Sequence, residues 1–304
     1  MEIGKIVMKK KFYVAAIFLV LTMITCCAAG CFLFDDSPQR YYIDIGQVED
    51  SRVASIVANN TIGSCVRVSA EFPSIAKVSK SSGFFVTADG YVITNRHCVI
   101  RFPDGTDLPS NTYPDPDHKG YYRTNYTVTD IKGNSYNATL VDYSESADVA
   151  LLKVAPTPLD TILGMTTNFS PLTFDSVSKP YYGDRLYTIG NPEDMGLVFS
   201  ELMVASPAIK LSGEDYHTSI VLDGNINHGN SGGPLLDVNS HVVGLIFARV
   251  EGSSTANNSP VDSTSKTYGL GCAIPADVVT KFLDDCKINY SSYTPETSED
   301  NGEA

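Results

Sequence analysis

Residues 225–237 read Asn-Ile-Asn-His-Gly-Asn-Ser-Gly-Gly-Pro-Leu-Leu-Asp, setting Ser231 among glycines with an apolar run behind it. Gly229, Gly232 and Gly233 free the backbone to turn tightly and to approach another chain segment. Such a turn can aim two backbone N–H groups, those of Gly229 and Ser231, at one point beside the Ser231 hydroxyl, with Asn230 shaping the bend between them. Acyl transfer needs that pairing: a nucleophile next to preorganised donors for a developing oxyanion. A serine alone is a poor nucleophile, so the chemistry also requires a base and an orienting acid. Taken by itself, the string is equally a glycine-rich hairpin turn.

Two other stretches supply the missing types. Thr94-Asn95-Arg96-His97-Cys98-Val99 puts a histidine directly after an apolar run. Ser146-Ala147-Asp148-Val149-Ala150-Leu151-Leu152 puts a carboxylate at the head of a buried strand, where an unpartnered charge is costly. Each has a plain structural explanation as well, His97 as a satisfied histidine and Asp148 as a cap. The order His97, Asp148, Ser231 is what separates this chain from an α/β-hydrolase, which runs serine, acid, histidine.

The elements that must position these residues read mostly as strands. Val48, Val53, Ile56 and Val57 recur at near-helical spacing and predict a short helix over 47–58. Cys65–Val68 alternates, and Gly83–Val86 and Tyr91–Thr94 flank Asp89-Gly90, a hairpin signal. Further strands are expected around Lys132-Gly133-Asn134, at Ala147–Val154, and at Arg185–Ile189, Val198–Val204, Ser219–Asp223, Pro234–Asp237, Val242–Ala248 and Gly269–Ile274. Residues 101–125 and 250–267 read as loops, and 155–180 as the passage between two halves. Pro275-Ala276-Asp277 opens a helix with Val278, Val279, Phe282 and Leu283 inward. The pattern predicts an all-β chain, two barrels side by side with a closing helix.

Composition narrows the function. The formal net charge of -13 argues against nucleic-acid binding, which needs a basic stripe, and against adhesion of the body to anionic lipid. Lys5, Lys9, Lys10 and Lys11 precede an uncharged apolar run from Phe12 to Phe34, closed by Asp35 and Asp36. Residues 1–36 therefore read as a signal anchor with a cytoplasmic N-terminus, or as a lipoprotein signal ending at Cys31, or as a cleaved signal. All three export the body, through a linker at 37–46. Cys65, Cys98, Cys272 and Cys286 remain for that body; they permit disulfides or serve as small buried hydrophobes. His118, His217 and His241 show no ligand spacing, so neither a metal nor a cofactor is expected.

As a set, the strings SSGFFVTADGYVITNRHCV (81–99), SADVALLKV (146–154), YYGDRLYTIGNPEDMG (181–196), GNINHGNSGGPLLDVNSHVVGLIFA (224–248) and YGLGCAIPADVVTKFL (268–283) resemble the trypsin-like serine peptidases, specifically the HtrA/Deg-type branch. The resemblance covers about 47–288 and implies a chymotrypsin-like fold: two six-stranded antiparallel β-barrels, at about 60–155 and 170–275, with a C-terminal helix at about 276–288. An acidic disordered tail is expected over 289–304. The resemblance implies His97 as general base, Asp148 as its orienting acid and Ser231 as nucleophile, with Gly229, Asn230 and Ser231 forming the oxyanion hole. By alignment, Asn225 falls at the floor of the primary pocket, and Phe247, Ala248, Arg249 and Gly271 along its walls.

Asn230 stands where digestive relatives carry an aspartate that pairs with a newly cut N-terminus, so activity without zymogen cleavage is expected. No acid lies at the pocket floor, which disfavours cleavage after Lys or Arg and favours apolar side chains. His228 reads as a loop residue. Few residues remain after Leu283 for the PDZ domain that most relatives carry. The leading expectation is a membrane-tethered, extracytoplasmic serine endopeptidase acting on unfolded or flexible protein segments in envelope quality control. The alternative is a catalytically idle protein-binding module on the same fold. A homo-oligomer, a trimer by resemblance, is a further expectation.

Overall fold

Strands that are apolar on both faces dictate the architecture. In strands, successive side chains alternate between faces. Along Val149–Val154, Ala150, Leu152 and Val154 point into one hydrophobic cluster while Val149 and Leu151 point into another. The same division separates Phe85 from Phe84 and Val92 from Ile93. One face of each strand fills a barrel interior; the other packs against a second barrel. This is why Ala147–Val154 reads as an almost unbroken apolar run. Each fully buried leucine there contributes about 1.5–3 kcal/mol relative to exposure.

The structure, a computed structural model, describes residues 50–101, 124–156, 167–210, 218–249 and 270–294. These fall in the unit Arg40–Ala304; the expected membrane segment at 1–36 lies outside the described residues. Most of the expected 37–46, 101–125 and 250–267 segments also lie outside them. Among the described residues, no helix is long and apolar enough to cross a membrane.

The first barrel comprises β1 (Cys65–Phe72), β2 (Lys77–Phe85), β3 (Tyr91–Asn95), β4 (Asn125–Thr129), β5 (Ser135–Ser144) and β6 (Val149–Val154). It closes in the order β1-β2-β3-β6-β5-β4. The Asp89-Gly90 turn joins β2 to β3, with Gly90 at φ 97, a conformation suited to glycine. A short strand, β7 (Thr173–Phe174), then lies in the passage between halves. The second barrel comprises β8 (Arg185–Gly190), β9 (Val198–Ile209), β10 (Ser219–Asp223), β11 (Pro234–Leu236), β12 (Val242–Arg249) and β13 (Leu270–Pro275). Its order is β11-β8-β9-β10-β13-β12, and a β11–β12 pairing closes the ring. Leu186, Leu202, Val204, Ile220, Leu222 and Leu235 fill its interior.

Helix α1 (Asp50–Thr61) inserts Val53 and Val57 into the core between the barrels and runs past the expected end at residue 58; residues 47–49 lie outside the described residues. A single turn, α2 (Arg96–Val99), follows β3. Helix α3 (Ala276–Asp285) starts after Pro275 and buries Val279, Phe282 and Leu283 in the same core; Val278 packs at its edge.

Two expectations need correction. β7 was not anticipated, because two residues carry no readable alternation. Residues 289–294, expected in a disordered tail, are instead ordered: β14 (Ser291–Ser292) pairs in parallel with β7, Tyr293 N–H donates to the Phe174 carbonyl at 2.7 Å, and Tyr290 packs edge-on against the Phe174 ring. Aromatic burial on Phe174 outweighs the polar composition of this segment. All four cysteines of the body are free thiols. Cys65 and Cys272 lie in the core between barrels and Cys98 in the first barrel, where they act as small hydrophobes.

Candidate active site

His97 and Asp148 meet through strand register. Asn95 of β3 pairs with Val149 of β6, so the residues just beyond, α2 on one side and the turn before β6 on the other, face each other. Asp148 has φ 52, a left-handed conformation that Asp tolerates better than most residues. In that conformation its carbonyl accepts from Arg96 N–H (3.2 Å) and Asn95 Nδ2 (3.0 Å). Its carboxylate accepts from the His97 backbone N–H at Oδ1 (2.9 Å) and lies 2.7 Å from His97 Nδ1 at Oδ2. The last contact sets the Nδ1–H tautomer and leaves the Nε2 lone pair available.

That lone pair faces a sulfur: Cys98 Sγ lies 3.3 Å from His97 Nε2. Burial works against protonation of His97, but Cys98 and then Asp148 outweigh it and hold the imidazole pKa well above its ordinary value. The contribution of Cys98 by charge requires the thiolate; the Asp148 carboxylate supplies its share in either state of the sulfur.

Ser231 is half-buried at the head of the turn leading into β11. Its hydroxyl donates to the Phe247 carbonyl at 3.3 Å, and no hydrogen bond joins it to His97. The loop around it is pinned from both barrels. Ser82 of β2 donates its backbone N–H to the Ser231 carbonyl (2.9 Å) and its hydroxyl to the Gly229 carbonyl (2.6 Å), and that hydroxyl accepts from Asn191 N–H (2.8 Å). A Cβ at Gly232, whose φ is 87, would stand 2.1 Å from the Ser82 carbonyl oxygen, so only glycine permits this approach.

The His228 carbonyl accepts from Glu193 N–H at 2.8 Å. The His228–Gly229 peptide is trans and planar, so the Gly229 N–H points away from that contact. Gly229 (φ 96) needs its conformation for this: a Cβ there would lie 2.2 Å from the Asn191 carbonyl oxygen. Asn230 is buried, accepts from Gly233 N–H at 2.9 Å, and sets its Oδ1 against Gly190.

The expected pocket residues separate. Asn225 is exposed. Phe247 is buried, its side chain part of the core between the barrels, and offers the site its carbonyl. Ala248 and Arg249 pair with Cys272 and Gly271 on β13, after an irregularity in register between Ile246 and Ala248. Gly271 abuts Ile226, whose Cδ1 would lie 2.1 Å from a Cβ at that position. Ile226, buried in the second barrel's core, fills the space beside Gly271, a contact that sequence reasoning missed. It also missed Ser82 and Cys98. Ser82 lay in a quoted string, but no local pattern marks a serine as a bond between barrels.

Two closed six-stranded antiparallel barrels define the trypsin-like class. The trypsin-like peptidase domain family matches residues 81–245, more than half of the chain, and the chain belongs to that family. Its relatives place it in the HtrA branch. It is 31% identical over 199 residues to a probable periplasmic serine endoprotease, DegP-like, of Bartonella henselae, covering 66% of this chain and 31% of that protein. The corresponding Rhizobium meliloti protein is 28% identical over 206 residues, covering 68% and 33%. The chain thus spans about a third of the length of the curated relatives it matches. Among solved structures, the Rv3671c protease from M. tuberculosis in its active form shares the fold, with TM-score 0.55, 24% identity, and coverage of 81% of this chain and 90% of that one.

Proposed function

We propose that this chain is a serine endopeptidase in which His97, Asp148 and Ser231 act as a catalytic triad. The observation that carries the reading is the 2.7 Å contact of Asp148 with His97 Nδ1, which leaves Nε2 basic beside a nucleophile loop pinned to the same barrel. Nε2 takes the Ser231 proton as Oγ attacks the scissile carbonyl. The proton then passes to the leaving amine, and water hydrolyses the acyl-enzyme by the same route. The Gly229 and Ser231 N–H groups hold the oxyanion, an orientation supported by the capture of the His228 carbonyl by Glu193.

The arrangement is a resting one. Ser231 donates to Phe247 and Nε2 is engaged by Cys98. Activation consists of rotating the Ser231 hydroxyl from Phe247 to Nε2, which substrate binding along the Phe247–Arg249 segment of β12 favours. Ile226 against Gly271 suits an apolar side chain before the scissile bond, and the absence of an acid at Asn225 disfavours Lys or Arg there. Substrates are unfolded or flexible protein segments. The body is exported and tethered by residues 1–36 as a single-pass anchor or through Cys31, and works in envelope protein quality control; the naming of the relatives as periplasmic endoproteases supports the compartment.

The resting contacts of Ser231 and His97 also favour a second reading, an idle protein-binding module. A fluorophosphonate probe separates the two. Labelling of the full chain that is lost in Ser231→Ala, with peptide-library cleavage after apolar residues, supports the peptidase. A folded chain that neither labels nor cleaves establishes the idle module.

A further inference from the structure

A second cluster of chemistry-bearing side chains lies in the β11–β12 turn and the segment after β7. Asp175, Asp237 and His241 each offer one potential ligand atom, and these atoms all lie within 4.8 Å of one another. Nothing in their spacing joins them, because Asp175 is remote in the chain and His241 lacks a spaced partner histidine.

Each carboxylate is half-committed. Asp175, 3% exposed, accepts the N–H groups of Val177 (3.0 Å) and Ser178 (2.8 Å) at Oδ1. Asp237 accepts those of Asn239 (2.9 Å) and His241 (2.7 Å) at Oδ1. In both, one oxygen orients the group and the other is spared by these N–H donors, as in the outer-shell support of metal ligands. The third member is orphaned: His241 Nδ1 is a buried nitrogen without a hydrogen-bond partner, 3.5 Å from Asp237 Oδ2. Two zinc ligands at about 2.0–2.2 Å in a tetrahedron stand about 3.3–3.6 Å apart, so this pair already spans one edge.

Charge points the same way. Among the described residues no lysine or arginine pairs with Asp175 or Asp237; Lys179 nearby is taken by Asp277 at 2.6 Å. Two carboxylates brought this close, with no described lysine or arginine on either, call for a compensating cation. One divalent cation supplies it. The imidazole selects against calcium and magnesium, which take oxygen ligands, and in favour of zinc.

We propose that Asp175, Asp237 and His241 bind a zinc-class divalent cation that clasps the closing seam of the second barrel. The ion ties the β11–β12 turn to the segment after β7. Tyr293, beyond β14, covers it by stacking on the His241 ring with centroids 4.6 Å apart. The ion has no part in the reaction proposed above and stands or falls apart from it.

The test titrates the chelator-dialysed full chain in detergent with zinc chloride alone, reading bound metal by elemental analysis, affinity by calorimetry and the melting temperature. The wild type is expected to hold one zinc ion per chain more than His241→Gln, to bind it at least tenfold more tightly, and to melt higher with zinc. Subtracting the variant removes zinc held by cysteines, and the cobalt-loaded site should show no sulfur-to-metal absorption. Asp175→Asn should lose the same ion, but His241→Gln decides, since its half-buried turn position leaves the fold intact. Equal zinc content in wild type and folded His241→Gln, a difference signal carrying sulfur ligation, or a preference for calcium would each overturn the site.

Discussion

The two barrels contribute to the proposed triad in different ways. The first delivers an acid–base pair that is already engaged, with His97 and Asp148 fixed by the ladder between β3 and β6. The second delivers a nucleophile whose hydroxyl is turned to its own strand β12. Register between neighbouring strands positions a side chain with no further support. A turn carrying φ values of 96 at Gly229 and 87 at Gly232 needs outside bonds, and Ser82 of the first barrel provides them. In the proposed mechanism the half that is fixed locally is complete at rest, and the half fixed across the junction is the one that switches.

Changes to the engaged pair should cost most. Asp148→Asn is expected to lower kcat by about 10^4-fold, because the amide stabilises the wrong tautomer of His97; circular dichroism should show the fold intact, and a drop below tenfold would remove Asp148 from the triad. Gly232→Ala follows: its Cβ meets the Ser82 backbone oxygen at 2.1 Å, which cannot yield. Loss of about 3 kcal/mol or more in denaturant unfolding is expected, together with loss of probe labelling.

Ser82→Ala removes the hydroxyl that bridges Gly229 and Asn191. We expect kcat to fall about 10- to 100-fold with KM little changed, and stability to fall by about 1–3 kcal/mol. An unchanged kcat would mean that the second barrel orders its own loop. Gly271→Ala drives its Cβ against Cδ1 (2.1 Å) and Cβ (2.9 Å) of buried Ile226, so the segment must shift: cleavage preference should narrow to smaller side chains and the melting temperature should fall.

The smallest effect is one of pH. His97 must be neutral to act, and its pKa stands above the ordinary value. The rising limb of kcat/KM against pH should therefore lie above about 6.5, the ordinary histidine value. Any stability from the charged His97 contacts is fully present below the unfolded pKa and is lost as pH rises through the folded one. Cys98→Ala removes one source of the upward shift and should move the limb to lower pH; no movement would leave Asp148 as its sole cause.

Much of the fold was legible because each strand writes its own alternation and each hairpin its own turn residues. Ser219–Asp223 falls where the pattern put it, and the Asp89-Gly90 and Gly133 turns join the strands expected. The tail around Tyr290 and Tyr293 was misread because isolated aromatics in polar surroundings reveal no partner until Phe174 and His241 are placed. The pocket was blurred for the same reason, since Phe247 turns its side chain into the core while Ile226 takes up the space beside Gly271.

The chain itself determined the residue types, their order and the strands that carry them, since these follow from local periodicity and turn chemistry. Tertiary structure alone decided that Ser82 joins the two halves, that Cys98 rests against Nε2, and that Asp175 meets His241. Such meetings depend on the closure of barrels and the registers between distant strands, and residues far apart in sequence carry no local mark of sharing one point in space.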